Sequence, residues 1–513
     1  MTDHANQAGI AVLPERPAGT RGTAIARVLF VTPECAPLAK MGGLADVVAA
    51  LPKTLRSLGC DARIVMPLYS SIDLDRHKVV PDGSACVHLG GGVEHWVGVH
   101  TTRLDGVPVW LVDFADYFAR PGIYGDSGGE YLDNAYRFAL LAKAALQLCK
   151  DRDFLPQVMH LHDWPAALAA VFLKTWDRID SPLSSCASVL TIHNIGYQGK
   201  YPADAFGYIG VGSEHFNSDV FEDYGWINLL KAGIHFADAI TTVSPTHLRE
   251  ILTPEGGLGL APYLSHRSAD VAGILNGVDY EHWNPEIDPL LPARYSAGEM
   301  AGKATCKEAL QRNLGLEPRP DLPLFGVISR LAPQKGIDLL REVLPAVLGR
   351  LELQLAVLGT GEPEYESFFR WLQWAHQGRV ACHIGFSEEV SHMIEGGCDF
   401  FLMPSLYEPC GLSQIYSMRY GTLPVVRSTG GLQDTVENYD QRTGEGTGFR
   451  FDEPSVTALY DTLAWSITTW FERPHHIAQL RQQAMARDFS WAESARRYQE
   501  IYRHALSRRT NGV

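Results

Sequence analysis

The sequence predicts an α/β protein of two doubly wound domains, each a parallel sheet with helices on both faces. Three observations predict it. Short apolar, β-branched runs alternate with helix-like stretches along most of the chain. The alternation pauses in a Pro-rich polar connection, Asn284 to Pro323, and then restarts. The length of 513 residues, 46% hydrophobic and 20% charged, exceeds what one hydrophobic core usually holds.

Residues 1–25, rich in Ala, Gly, Thr and Pro, are expected to be a disordered tail. A first domain over 26–285 takes its strands from Arg27–Thr32, Ala62–Met66, Val107–Val112, Gln157–Leu161, Ala187–Ile192 and Ala239–Val243. A linker is expected over 286–322. A second domain over 323–487 has strands at Leu324–Ser329, Leu353–Leu358, Val380–Ile384, Asp399–Met403 and Leu423–Val426. In such sheets ligands bind outside the carboxyl ends of the strands, so a substrate is expected in a cleft between the halves.

Charge and cysteine content exclude several classes. With 44 basic against 59 acidic residues, net −15, the chain has no long-range attraction for nucleic acid or an anionic membrane. Nine cysteines without a C-x2-C pair suit a reducing compartment. No apolar run approaches the roughly 18 residues that span a bilayer, and the first 25 residues lack a secretory signal's apolar core. A cytoplasmic protein is expected.

Against that acidic background, clustered cations are informative. Lys40-Met-Gly-Gly-Leu44 lies between a strand and a helix, where glycines admit close approach and a lysine with helix N–H groups favours an anion. It is neither a Walker loop nor a G-x-G-x-x-G turn, and alone it reads first as a glycine turn with a solvated lysine. Ser329-Arg330 with Lys335-Gly336 places two more cations at a strand end of the second domain, so the two sets together read as a diphosphate clamp. Glu408-Pro-Cys410-Gly411-Leu412-Ser413 follows another strand, with backbone donors suited to a phosphate or a sugar hydroxyl. His160-Leu-His-Asp163-Trp164 and Thr191-Ile-His193-Asn194 close strands of the first domain, and His193 is the histidine expected to turn its polar atoms to the cleft. Two D-x-D strings, Asp73-Leu-Asp75 and Asp151-Arg-Asp153, stand in polar surroundings, and no metal is expected there.

These stretches, with Pro33–Lys40, Ile274–Asp279 and His383–Phe386, resemble the bacterial glycogen synthases and plant starch synthases, glucosyltransferases with two Rossmann-like lobes (the GT-B fold, glycosyltransferase family 5). The resemblance covers nearly the whole chain from Arg27. Phe489–Tyr502 is similar to the family's last helix, which implies that 488–513 return to the first domain. The family's K-T-G-G-L or K-V-G-G-L stands here with Met41 at its variable position.

The resemblance implies a retaining hexosyltransferase that moves glucose from ADP-glucose to the non-reducing end of an α-1,4-glucan such as glycogen, without a metal cofactor. Lys40 and the amides of Gly42 and Gly43 would hold the diphosphate from one lobe, and Arg330 and Lys335 from the other. Glu408 would bind donor-glucose hydroxyls, and His193 would stabilise charge at the anomeric carbon. Asp46, Asp163 and Asn194 would line the sugar side, Tyr124, Asn276 and Gly385 the rest of the pocket, and Phe386 would stack on the base. Cys410, Gly411, Leu412 and Ser413 would add donors. Three other readings stay open: a UDP-glucose-dependent glucosyltransferase, a sugar-nucleotide epimerase, and a glycan-binding protein that has lost turnover. Oligomeric state is not legible in the sequence.

Overall fold

A computed structural model describes residues 25–126 and 128–511. The expected tail lies outside the described residues except for Ile25, which is buried. The chain divides into two units. The first holds the described residues up to Gly277 together with those from Trp491 onward, and the second runs from Val278 to Ser490.

The first unit is built on a nine-stranded sheet. Its strands are β1 (Arg27–Val31), β2 (Asp61–Pro67), β3 (Val80–His88), β4 (Glu94–Leu104), β5 (Val107–Asp113), β6 (Val158–His162), β7 (Ala187–Ile192), β8 (Ala239–Thr242) and β9 (Val271–Gly273). They lie in the order β9-β8-β7-β6-β1-β2-β5-β4-β3. From β9 to β5 every pairing is parallel. The four central members β1, β6, β7 and β8 are almost wholly buried, as continuous apolar runs covered on both faces require. Strands β3 and β4, not expected from the sequence, add antiparallel to β5 and make the sheet mixed. Residues Val80–His88, with Pro, Asp, Gly and Ser, carry little β signal and leave much of β3 exposed.

The second unit carries a six-stranded sheet of β10 (Leu324–Leu331), β11 (Gln354–Gly361), β12 (Val380–Ile384), β13 (Phe400–Met403), β14 (Leu423–Arg427) and β15 (Phe449–Phe451). Its order is β12-β11-β10-β13-β14-β15, and every pairing is parallel.

The stretch expected as a linker is part of this second unit. It contains a helix, Ala301–Leu314, whose Lys303 and Lys307 are buried and donate to the Gly396 and Leu322 carbonyls among others. Its few apolar residues are scattered among Lys, Glu, Gln and Arg, so no apolar run marks the helix in sequence. The last helix, Trp491–Thr510, packs on the first unit: Tyr498 and Tyr502 are buried, Tyr502 Oη lies 2.9 Å from His160 Nδ1, and Ser494 Oγ donates to the Leu275 carbonyl at 2.6 Å.

Among the parallel strands of each sheet the order reverses direction at one place, between β1 and β6 in the first unit and between β10 and β13 in the second. A crevice opens at the carboxyl ends of such a pair. The loops after these strands hold most of the residues singled out above.

Candidate active site

In the first unit the Lys40 loop leaves β1 and enters helix α1 (Gly43–Ser57). A residue not singled out from the sequence organises it. Glu34, 3% exposed, accepts the Met41 N–H at 2.6 Å and the Gly42 N–H at 3.2 Å on one oxygen, and the Tyr124 hydroxyl at 2.5 Å on the other. Burial pushes the Glu34 carboxyl up, and these three donors only partly offset it. The Gly42 amide, expected to face a phosphate, is therefore committed within the chain. A Cβ built at Gly42 would meet nothing within 4 Å, so the space over the turn is open. Lys40 Nζ pairs with Asp46 Oδ1 at 2.7 Å, on a half-exposed surface.

The loops after β6 and β7 meet through Asp163, the first residue of α2 (Asp163–Lys174). Its backbone is left-handed, with φ of 56°. Its carboxylate accepts the His193 N–H at 2.7 Å and the Asn194 N–H at 3.4 Å. Burial pushes this carboxyl up to about 7 despite those donors. His193 Nε2 lies 2.9 Å from His162 Nδ1, and the His162 ring stacks on Phe30. Burial pushes His193 down to about 3, and His160 and His162 are held well below the ordinary histidine value for the same reason. His193 is thus a neutral ring at physiological pH, sharing one proton with His162 across their contact. Asn194 turns its Oδ1 back to the Gly196 N–H at 2.9 Å. Asn276 is buried, and its Oδ1 has no hydrogen-bond partner among the described residues.

The second unit has a different character. Arg330 lies near the end of β10, followed by a 3-10 turn, Pro333–Lys335, and then α3 (Ile337–Arg350). Gly336 joins the two at φ of 70°, and a Cβ there would collide with the Pro404 carbonyl, so only glycine fits. Lys335 Nζ is 2.6 Å from Glu408 Oε2, which also accepts the Ser405 hydroxyl at 3.0 Å. Glu408 is 6% exposed. Gln334 ties the two loops: its carbonyl accepts the Leu406 N–H at 2.9 Å, while its side-chain oxygen accepts from Arg330 at 3.2 Å.

Gly385 and Phe386 lie between β12 and α4 (Glu388–Gly397). Phe386 is 84% exposed, an open aromatic face at a strand end. After Glu408 the chain passes Cys410, Gly411 and Leu412 into α5 (Ser413–Arg419). The buried Gln414 amide donates to the Cys410 and Gly411 carbonyls at 3.1 Å each, which fixes that turn.

The structure thus gathers the predicted residues at the switch point of each sheet, Lys40, Asp46, Tyr124, Asp163, His193 and Asn194 in one unit, Arg330, Lys335 and Glu408 in the other. Glu34 and Ser405 join them without having been expected at the site, and His162, read in the sequence only as part of its strand-closing motif, contacts His193. Glu34 has a visible signal, a lone carboxylate between a buried strand and a glycine turn, but its partner Tyr124 is 90 residues away in sequence.

Comparison with known proteins adds identity to this geometry. A family model described as the starch synthase catalytic domain matches residues 27–266, and one described as glycosyl transferases group 1 matches 315–484. Fold and site together define a glycosyltransferase of the two-lobed GT-B class. Glycogen synthase 1 of Geobacter metallireducens is 45% identical over 94% of this chain and 97% of its own. A glycogen synthase of Treponema denticola is 43% identical over 94% of this chain and 99% of its own. The catalytic domain of starch synthase IV from Arabidopsis thaliana, bound to ADP and acarbose, superposes with a TM-score of 0.87 at 33% identity, covering 94% of this chain and 100% of that one. A sucrose-phosphate synthase of Thermosynechococcus elongatus shares the fold, with a TM-score of 0.60 at 17% identity over 94% of this chain and 99% of that one. The chain belongs to the glycogen synthase and starch synthase family.

Proposed function

We propose that this protein transfers glucose, with retention, from ADP-glucose to the non-reducing end of an α-1,4-glucan, elongating glycogen. The observation that carries the reading is the Lys335–Glu408 pair at the second unit's switch point, a cation for a leaving phosphate beside a carboxylate for sugar hydroxyls. The ADP in the Arabidopsis relative favours adenosine over uridine.

Lys335 and Arg330 neutralise the charge that grows on the departing diphosphate, which is where electrostatic stabilisation contributes most to a group transfer. Lys40, with the Gly43 amide at the start of α1, offers a further cation and donor suited to a phosphate. Glu408 holds donor hydroxyls. His193, neutral and locked by His162 and Asp163, lies against the reacting sugar and stabilises the electron-poor anomeric carbon without itself carrying a proton in. An uncharged ring does so without repelling the developing cation. The acceptor hydroxyl attacks from the leaving-group side, and its proton passes to the departing phosphate oxygen. Cations of the chain fill the role a divalent metal plays in other sugar-nucleotide enzymes, so we propose a transfer step independent of metal. A cytoplasmic location goes with this reading. None of the nine cysteines forms a disulfide, and no helix among the described residues is long and apolar enough to cross a membrane.

Transfer of labelled glucose to glycogen, run with ADP-glucose and UDP-glucose side by side, tests the proposal. Incorporation from ADP-glucose in excess of UDP-glucose is expected. Preference for UDP-glucose would move the protein to the other donor class, and no incorporation from either would refute transfer.

A further inference from the structure

Among the described residues, two groups of side chains bring three metal-ligating atoms together: Cys86, His88 and Glu94 in the first unit, and His282, Glu388 and His392 in the second. The first lies on the outer antiparallel strands with no buried member. The second is built differently.

His392 stands on α4 and is 1% exposed. Its Nδ1 is 2.7 Å from Asp288 Oδ2. The Asp288 side chain is fully buried and also accepts the Tyr420 hydroxyl at 2.5 Å and the Leu290 N–H at 2.8 Å. A carboxylate can only accept, so the His392 Nδ1–H donates to Asp288, and Nε2 lies on the other side of the ring. The ring cannot swing away. Trp283 stacks on it at 4.0 Å and 9°, and Tyr416 stacks on Trp283 at 4.1 Å and 8°.

Nε2 is buried and has no hydrogen-bond partner among the described residues. A buried nitrogen left in that state calls for an explanation. Grouped with His392 are two exposed side chains, His282 and Glu388, with exposures of 51% and 61%. One ligand atom of each of the three residues lies within 4.8 Å of the others. Two ligands at ordinary zinc distances in a tetrahedron are about 3.4 Å apart, and His282 Nε2 is 3.4 Å from Glu388 Oε1. A plain His282–Glu388 ion pair would account for that distance but not for the orphaned His392 nitrogen.

We propose that His282, Glu388 and His392 form a divalent zinc site on the second unit, with Asp288 orienting the buried ligand and a fourth position open to water. Two imidazole nitrogens and one carboxylate select zinc over magnesium or calcium. A carboxylate behind a ligating histidine is the usual outer-shell partner in such sites. Bound zinc would pin the segment holding His282 to the first turn of α4. The site stands apart from the transfer chemistry and does not rest on the proposed function.

The test uses the full chain stripped with EDTA and titrated calorimetrically with Zn²⁺, with Co²⁺ absorption as a check on coordination. One site per chain is expected. Affinity should fall by about tenfold or more in both His282→Ala and Glu388→Gln, as losses of ligation commonly do, and should persist in Cys86→Ser. Zinc should raise the melting temperature of the parent protein and of Cys86→Ser, but not of His282→Ala. Both changed ligands are exposed, so the variants fold, which their melting curves without metal will verify. Absence of binding, retained affinity in either ligand variant, or loss in Cys86→Ser would overturn the assignment.

Discussion

The two switch points differ in how they treat charge. Apart from the half-exposed Lys40–Asp46 pair, the groups at the first unit's switch point are buried and electrically quiet: His193 and His162 share a contact as neutral rings, while burial raises the carboxyls of Asp163 and Glu34. In the second unit Lys335 and Glu408 face each other as an ion pair at 2.6 Å, with Arg330 beside them at the surface. One fold class thus supplies a neutral, rigid wall in one unit and a set of charges in the other. Under the proposed function, the charged set suits the leaving phosphate and the neutral wall suits the sugar.

The largest effect should come from breaking the charged pair. Lys335→Ala should lower turnover by about 10²–10³-fold, the range for removing one electrostatic contact to a transition state. It should also cost stability of about 2 kcal/mol, because Glu408 is left buried without its cation. Adding Glu408→Gln should restore the melting temperature but not the turnover. A loss of turnover under roughly threefold with an unchanged melting curve would remove Lys335 from the site.

Next in size is the neutral wall. His193→Ala should reduce turnover by about 10²-fold, with little change in stability beyond a cavity. Lys40→Ala sharpens the contrast from the other side. Its pair with Asp46 is exposed, and exposed pairs contribute about 0–1 kcal/mol, so melting should not move. The Michaelis constant for the sugar nucleotide should rise by roughly fivefold to tenfold, read from initial rates. An unchanged constant would make Lys40 a solvated surface lysine.

A smaller effect follows from Asp163. Its carboxyl ionises near 3.8 ordinarily and at about 7 in the folded chain. Between those values the folded state keeps a proton that the unfolded state has lost, so this group's contribution to stability falls as pH rises through the window. Asp163→Asn removes the slope, and Asn tolerates the left-handed backbone. Urea unfolding from pH 4 to 8 should show the variant gaining on the parent protein up to about pH 7 and holding level above it. A difference independent of pH would contradict the buried carboxyl. The smallest effect is expected of Gly42→Ala. Its backbone is extended, with φ of −153°, and an added methyl meets nothing within 4 Å. Melting should be unaffected, and a rise in the donor Michaelis constant would show that the open space receives substrate.

Much of this was legible in the sequence because the candidate residues stand at strand-to-helix junctions. K-M-G-G-L, the S-R and K-G pair, and E-P-C-G-L all stand there, and strand runs such as Val28–Val31 and Phe400–Met403 are apolar enough to read directly. What was not legible depends on distant partners. Glu34 looks like any carboxylate until Tyr124 and the Lys40 loop fold onto it. Lys335 and Glu408 were both expected at the site, but their pairing across 73 residues of sequence was not. The outer strand β3 was hidden by its polar, glycine-bearing composition, and the helix Ala301–Leu314 by its lack of an apolar face. His392 shows no signal at all in sequence, since its meaning lies in Asp288, Trp283 and an unpartnered nitrogen.

The division of labour between the two units is tested most directly by calorimetric titration of ADP into the parent protein, Lys335→Ala and His193→Ala, with transfer from ADP-glucose measured on the same samples. Lys335→Ala is expected to weaken ADP by about tenfold or more, whereas His193→Ala should bind ADP like the parent protein and still fail to transfer glucose. Equal weakening of ADP in both variants, or normal ADP binding by Lys335→Ala, would contradict that division.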